Sequence, residues 1–301
     1  MVAGIIGNTN KLKGSQFIID LVSCLKNAGI ESILSDSLIP IVSDYQAKSQ
    51  CEFSFGNTEL LGKSCDFIIS AGGDGTLLAS ALTAFEHNKP IVGVNLGKLG
   101  FLAEVGTDQI PNFIAELQSE SYSFEERIVL EGKIAGEPEY SLLAFNDIVI
   151  DKGGWPKMIE IKLSVGKDYV NSFSSDGLII ATPAGSTGYS LSVGGPIVTP
   201  DADVITLSPI SAHSLSMRPL VINSRKTIKV EVASPHNKLL INCDGQRVHE
   251  FTPPVTLIVT KNPKPLKLLR SDSFNYFEIL RGKLYWGMDF RMIGDKSREQ
   301  I

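Results

Sequence analysis

Asp74 stands inside a run of glycines, in Ile69-Ser70-Ala71-Gly72-Gly73-Asp74-Gly75-Thr76-Leu77-Leu78. A strand, a glycine turn and a helix in that order turn backbone N–H groups and a helix N-terminus toward an anion. Gly72, Gly73 and Gly75 let the chain come close to it, and Thr76 adds a hydroxyl. A carboxylate in the middle of such a loop repels phosphate unless it faces a different group, a hydroxyl whose proton it takes or a cation. The local alternative is a tight turn in which Asp74 only caps the helix that follows.

Other stretches carry polar groups at the ends of apolar runs. Gly93 to Phe101, GVNLGKLGF, follows a strand pattern and ends in a phenylalanine that could stack on a flat base or fill a loop. Asn146 and Asp147 in AFNDIVIDK could grip neighbouring ribose hydroxyls, since one side chain donates and both accept; an Asx turn would explain the same pair. The segment from Ser174 to Val198, SSDGLIIATPAGSTGYSLSVGGPIV, presents Asp176, Thr187, Gly188, Tyr189, Ser190 and Ser192 ahead of the pair Gly194-Gly195. Flexible glycines and hydroxyls at that density favour a ligand loop over a plain connector. Asp244-Gly245, between KLLINC and QRVHEF, reads most simply as a hairpin turn. Gly62-Lys63-Ser64 resembles the end of a Walker loop but precedes the strand DFIIS and follows Gly56 at the wrong spacing, so it is set aside. No G-x-G-x-x-G is present.

The elements that position these groups follow from periodicity. Up to about Tyr122, the runs VAGII, DFIIS and IVGV alternate with amphipathic patterns over 17–28 and 77–87, where Leu77, Leu78, Ala81, Leu82 and Phe85 recur at helical spacing. That alternation predicts an open α/β sheet. From about Ser123, IEIKLSV, TIKVEVA, KLLINC, VTLIV and LKLL read as strands, predicting a layered β-domain. The expected division is 1–122, joined by a returning tail 276–301, and 123–275.

Composition narrows the classes. A chain of 301 residues with 43% hydrophobic content buries its own cores. A net charge of −5 argues against a nucleic-acid partner. Cys24, Cys51, Cys65 and Cys243 are scattered without metal-like spacing and suit free thiols in a reducing cytoplasm. The N-terminus lacks a signal-peptide pattern, and no apolar run approaches the roughly 18 to 20 residues of a membrane helix.

Taken together, GGDGT at 72–76, NLGKLGF at 95–101, FND at 145–147 and DGLIIATPAGSTGYSLSVGGPIVTP at 176–200 resemble the NAD kinase family, as do HSLSMRPLV near His213 and CDGQ at 243–246. GGDGT alone is shared with diacylglycerol, sphingosine and 6-phosphofructo-kinases; the long glycine-serine motif narrows the resemblance. It implies a Rossmann-like N-terminal domain carrying GGDGT, a C-terminal β-domain, and transfer of the γ-phosphate of ATP, with Mg2+, to the 2′-hydroxyl of the adenosine ribose of NAD. It further implies a homodimer or homotetramer in which a partner chain completes each site. Asp74 and Gly75 would lie at the acceptor ribose, with Asp74 the candidate base, and Asn146 with Asp147 at ribose hydroxyls at the other end of the dinucleotide. Thr187, Gly188, Tyr189, Ser192 and Phe101 would meet the adenosine end, and Asp176 a ligand in the neighbouring subunit. Ser174 and Asp244 are further candidates. Two departures stand out: many relatives have Glu where Asp147 stands, and some bacterial ones have Arg where Ser174 stands. Rival readings are a lipid kinase of the same GGDGT superfamily, expected to show a membrane-facing surface, and a non-catalytic NAD(P) sensor.

Overall fold

Short apolar runs separated by amphipathic helices produce a mainly parallel sheet in the first third of the chain. The computed structural model describes residues 1–12, 16–43, 52–97, 100–271 and 274–287, and of Pro138 the backbone alone. Cys51, Lys98, Leu99 and the 288–301 part of the expected tail lie outside the described residues.

Strands β1 (Val2–Gly7), β2 (Glu31–Ser35), β3 (Ser54–Gly56), β4 (Phe67–Gly72) and β5 (Ile91–Asn95) pair in parallel in the order β3-β2-β1-β4-β5. That is a Rossmann-type order, with the direction of winding reversing between β1 and β4, where open sheets place ligands beyond the strands' carboxyl ends. The GGDGT turn leaves β4 at that point. Asn8 N–H, from the loop after β1, donates to Ala71 O at 3.0 Å, and Leu96 N–H, after β5, donates to Gly72 O at 3.0 Å, so both neighbouring loops are tied to the turn. Strand β4 is buried along its whole length, as a central strand covered on both faces should be.

The sheet continues past β5 with a strand from much later in the chain. The segment Leu266–Ser271, whose apolar run LKLL was expected in the β-domain, pairs in parallel with β5, and Tyr122–Arg127 lies beyond it. The compact units are accordingly Met1–Glu125 with the chain from Leu268 onward, and Glu126–Lys267. The returning segment thus begins at 268 instead of 276. Arg270 explains the placement: its guanidinium, buried in this unit, pairs with Glu104 and with Glu125 (2.6 Å) and stacks over Phe274 with its centre 4.0 Å from the ring centroid. A buried guanidinium with two carboxylates is stable only while all three stay together, which fixes the chain as it enters the helix Tyr276–Leu284.

The second unit is antiparallel throughout its recorded pairings. One sheet runs Leu220–Asn223, Val204–Ile210, Gly177–Ala181, Asp147–Asp151, Leu239–Cys243, Arg247–Phe251 in spatial order; the other runs Asp168–Ser175, Ile159–Val165, Ile228–Ala233, Val255–Lys261, Leu130–Ile134, Glu137–Ala144. Alternation in IEIKLSV sends Ile159, Ile161 and Leu163 inward, to join Ile148, Ile150, Leu178, Ile180 and Ile241 of the facing sheet in one core. The expected fold class, α/β plus a layered β-domain, describes both units.

Candidate functional site

In the first unit the helix Asp74–Glu86 begins directly after Gly73, which serves as its N-cap residue without a side-chain bond. Asp74 therefore does not cap its own helix. Its carboxylate reaches across to the loop after β5: Oδ1 accepts the N–H groups of Leu102 (3.0 Å) and Ala103 (2.9 Å), and Oδ2 accepts that of Phe101 (3.0 Å). Lys283, from the helix Tyr276–Leu284, donates to Oδ2 at 3.2 Å. A Cβ on Gly100 would collide with the carboxylate, so glycine is required there by close approach. Burial works to raise the Asp74 pKa, but the Ala103 N–H, Lys283 and the Leu102 and Phe101 N–H groups outweigh it and hold the carboxyl below its usual range. The group is an ionised, oriented acceptor. Phe101 is half-buried, with its ring centroid 6.1 Å from that of Tyr276 and the Lys283 ammonium 4.9 Å from its centroid. On the helix itself Leu77, Leu78, Ala81 and Phe85 are buried as the period requires, while Leu82 is only partly so.

In the second unit Asn146 and Asp147 sit at the turn between Glu137–Ala144 and Asp147–Asp151. This is no simple Asx turn, because its amides are held from elsewhere. Asp244 accepts the N–H groups of Phe145 (2.9 Å), Asn146 (2.7 Å) and Asp147 (3.3 Å), and Arg247 Nη2 closes on its other oxygen at 2.7 Å. Asp244 and Gly245 do form the expected hairpin turn, both at positive φ, and the Asp244 side chain is nearly fully buried within it. From the other side Thr182 donates its hydroxyl to Phe145 O at 2.8 Å and its N–H to Asn146 O at 2.8 Å. Gly185 packs so tightly on the Asn146 backbone that a Cβ would not fit.

A cavity of about 310 Å³ opens here, lined by Asn146, Asp147, Gly188, Tyr189, Asn242 and Asp244 among others. Two buried oxygens in its wall, Oδ1 of Asn146 and Oδ1 of Asn242, have no hydrogen-bond partner, which marks acceptors kept for a donor that a ligand brings. A Cβ on Gly188 would stand 3.8 Å from both Asn146 Nδ2 and Asp147 Oδ2, so Gly188 keeps the approach to them open. Burial, and then the charge of Asp244, push the Asp147 carboxyl up to about 7. Asp244 is raised by burial too, opposed by the three backbone N–H groups and Arg247, whereas no donor opposes the rise at Asp147.

That rise has a stability consequence. A carboxyl raised from 3.8 to about 7 by folding favours the fold fully below its unfolded pKa, and the contribution is lost as pH rises through about 7. Melting temperatures followed from about pH 5 to 8 are expected to fall more steeply for the parent than for Asp147→Asn. Parallel profiles would contradict the raised pKa.

The remaining candidates are placed differently. Thr187 returns its hydroxyl to Ala184 O at 3.1 Å, and Ser192 is exposed at the end of the helix Tyr189–Ser192; neither lines the cavity. Asp176 pairs with Lys152 at 2.6 Å, and Ser174 is exposed on Asp168–Ser175, both away from the cavity wall. Several hydroxyls of the glycine-serine segment hold the fold: Ser186 accepts Val198 N–H at 3.0 Å and Ser190 meets Ser208 at 2.9 Å. Gly62-Lys63-Ser64 ends the helix Thr58–Ser64, where Lys63 pairs with Glu59 at 2.6 Å, as a solvated helix face would. Sequence reasoning missed Lys283, Arg247 and Asn242. Among the described residues no group of three or more His, Cys, Asp or Glu forms a metal cage.

Models of known families match both parts of the chain: the ATP-NAD kinase N-terminal domain over residues 3–122 and the ATP-NAD kinase C-terminal domain over residues 145–271. The chain is 34% identical over 290 residues to a protein named NAD kinase in Chloroherpeton thalassium, covering 96% of this chain and 99% of the relative. It is 36% identical over 259 residues to one of that name in Sulfurimonas denitrificans, covering 86% and 90%. Among solved structures it resembles yeast NADH kinase complexed with NADH, with TM-score 0.86 at 21% identity over 96% of this chain and 89% of that one, a likeness of fold. It also resembles an NAD kinase from Archaeoglobus fulgidus in complex with ATP, with TM-score 0.75 at 25% identity over 95% and 99%.

Proposed function

Because this chain belongs to the NAD kinase family and phosphorylates NAD with ATP as donor, we propose that the acceptor is the 2′-hydroxyl of the adenosine ribose and that Asp74 is its general base. The observation that carries the base assignment is the fixed carboxylate, held by three backbone N–H groups at the carboxyl end of a central strand. In the transfer, the ribose oxygen forms a bond to the γ-phosphorus as the bond from that phosphorus to the β–γ bridging oxygen breaks, and ADP leaves with the electron pair. The hydroxyl proton passes to Asp74 and then to solvent. Assistance of this kind contributes about 10² to 10⁴ in rate. The transition state is loose, so positioning and charge neutralisation do most of the remainder. ATP enters as its magnesium salt, whose ion neutralises phosphate charge. The Gly72, Gly73, Gly75 and Thr76 turn at the helix N-terminus is the surface offered to the phosphate chain.

Asn146 and Asp147 receive ribose hydroxyls, with the unpartnered Asn146 Oδ1 accepting one of them. In its protonated form Asp147 adds a donor to the pair. Gly188 and Tyr189, assigned to the adenosine end of the dinucleotide, border the same cavity. The protein acts as a cytoplasmic homodimer or homotetramer, with Asp176 directed to a ligand in a neighbouring subunit and Ser174 a further candidate site residue. Free thiols at Cys24, Cys65 and Cys243 fit a reducing compartment, and the exposed apolar side chains Leu215, Leu220 and Val221 suit subunit contact. Purified protein mixed with NAD, ATP and Mg2+ is expected to give NADP carrying its new phosphate on the 2′-oxygen, read by phosphorus NMR. Phosphate at the 3′-oxygen would overturn the acceptor assignment.

A further inference from the structure

A carboxylate offers about four lone-pair positions, and those of Asp74 are all taken. Oδ1 holds the Leu102 and Ala103 N–H groups, and Oδ2 holds the Phe101 N–H and the Lys283 ammonium. Three of these donors are backbone and cannot leave without unfolding the loop. The fourth is the end of a flexible side chain that is itself a third exposed. An acceptor hydroxyl can therefore reach Oδ2 only by displacing Lys283.

We infer that Lys283 is an exchangeable cap on Asp74: its ammonium occupies Oδ2 in the free protein and passes to the phosphates of ATP when the donor binds, leaving Oδ2 to the acceptor hydroxyl. The role rests on Asp74 being the base. The charged groups recorded beside this turn are Lys283, on the carboxylate and over the Phe101 ring, and Lys11, whose ammonium would lie 3.3 Å from a Cβ on Gly73. Lys11 flanks the glycines and Lys283 flanks the carboxylate, so a phosphate chain at the helix N-terminus meets a cation on each side. Exchange also suits the chemistry. While paired, Asp74 is held a poor base partly by Lys283; departure of the ammonium returns basicity to the carboxylate as the hydroxyl arrives.

The test measures binding of the magnesium salt of a non-hydrolysable ATP analogue, and of NAD, to the parent, Lys283→Met, Lys283→Arg and Asp74→Asn. Lys283→Met is expected to weaken analogue binding about tenfold and to raise the KM for ATP, with NAD affinity unchanged; Lys283→Arg, which keeps the charge, recovers most of the loss. Asp74→Asn, which frees the ammonium from its partner, is expected to bind the analogue more tightly than the parent, and the double variant loses that gain. Analogue binding that Asp74→Asn leaves the same or weaker overturns the exchange without any change at Lys283, so misfolding of Lys283→Met leaves the question decidable. If Asp74→Asn tightens analogue binding yet keeps full turnover, the cap stands and it is the base assignment that fails.

Discussion

Replacing Asp74 by Asn is expected to lower NADP formation by about 10² to 10⁴ while the chain stays folded and binds NAD. The amide oxygen of Asn can keep the Leu102 and Ala103 N–H groups, which now meet Oδ1. Its NH2 group then faces two donors, the Phe101 N–H and the Lys283 ammonium, so a modest fall in melting temperature accompanies the loss of activity. The two effects separate in an assay that reports kcat and NAD affinity beside the unfolding curve. A loss of transition-state stabilisation lowers kcat and kcat/KM together. Near-normal turnover would remove Asp74 from the base role.

Asp244→Ala is expected to damage the other unit more in stability and NAD affinity than in chemistry. The variant takes the acceptor from the N–H groups of 145, 146 and 147 and leaves the half-buried Arg247 with Leu143 O but without its partner carboxylate. Leaving buried backbone donors without an acceptor costs about 1–3 kcal/mol. The melting temperature falls by the corresponding amount, and the KM for NAD rises as the turn that presents Asn146 and Asp147 loosens. With the neighbouring charge gone, the Asp147 carboxyl also moves down toward its ordinary range, because Asp244 is one of the two causes raising it. A variant as stable as the parent, with unchanged KM for NAD, would show that Asp244 is an ordinary hairpin residue.

That contrast marks where the sequence was informative. GGDGT could be placed on a strand, a turn and a helix because periodicity changes on either side of it, and the structure has those elements at 67–72 and 74–86. The role of Asp74 in holding the 101–103 amides had no local sign. Asp244 looked like turn chemistry, and is; its second role depends on amides 97 to 99 residues away in the chain. LKLL at 266–269 alternates like its neighbours, and periodicity does not say which sheet a strand will join; the deciding group is Arg270, whose carboxylate partners lie 145 and 166 residues back. Hydroxyl density in the glycine-serine segment suggested a ligand loop, yet Thr182, Ser186 and Ser190 are spent on the fold. Lys283 lies in the tail expected to return to the first unit, but its reach to Asp74 had no sign in the sequence.

The late strand beside β5 also imposes an order on synthesis. The α/β unit is interrupted by the entire β unit, so a chain emerging from the ribosome exposes Glu104 and the Ile91 end of β5 long before Arg270 and Leu266–Ser271 exist to cover them. The β unit, contiguous in the chain, can fold as soon as it is made, as domains generally do. The first unit must wait half-built, and the ammonium beside Asp74 arrives after the strand that completes its sheet.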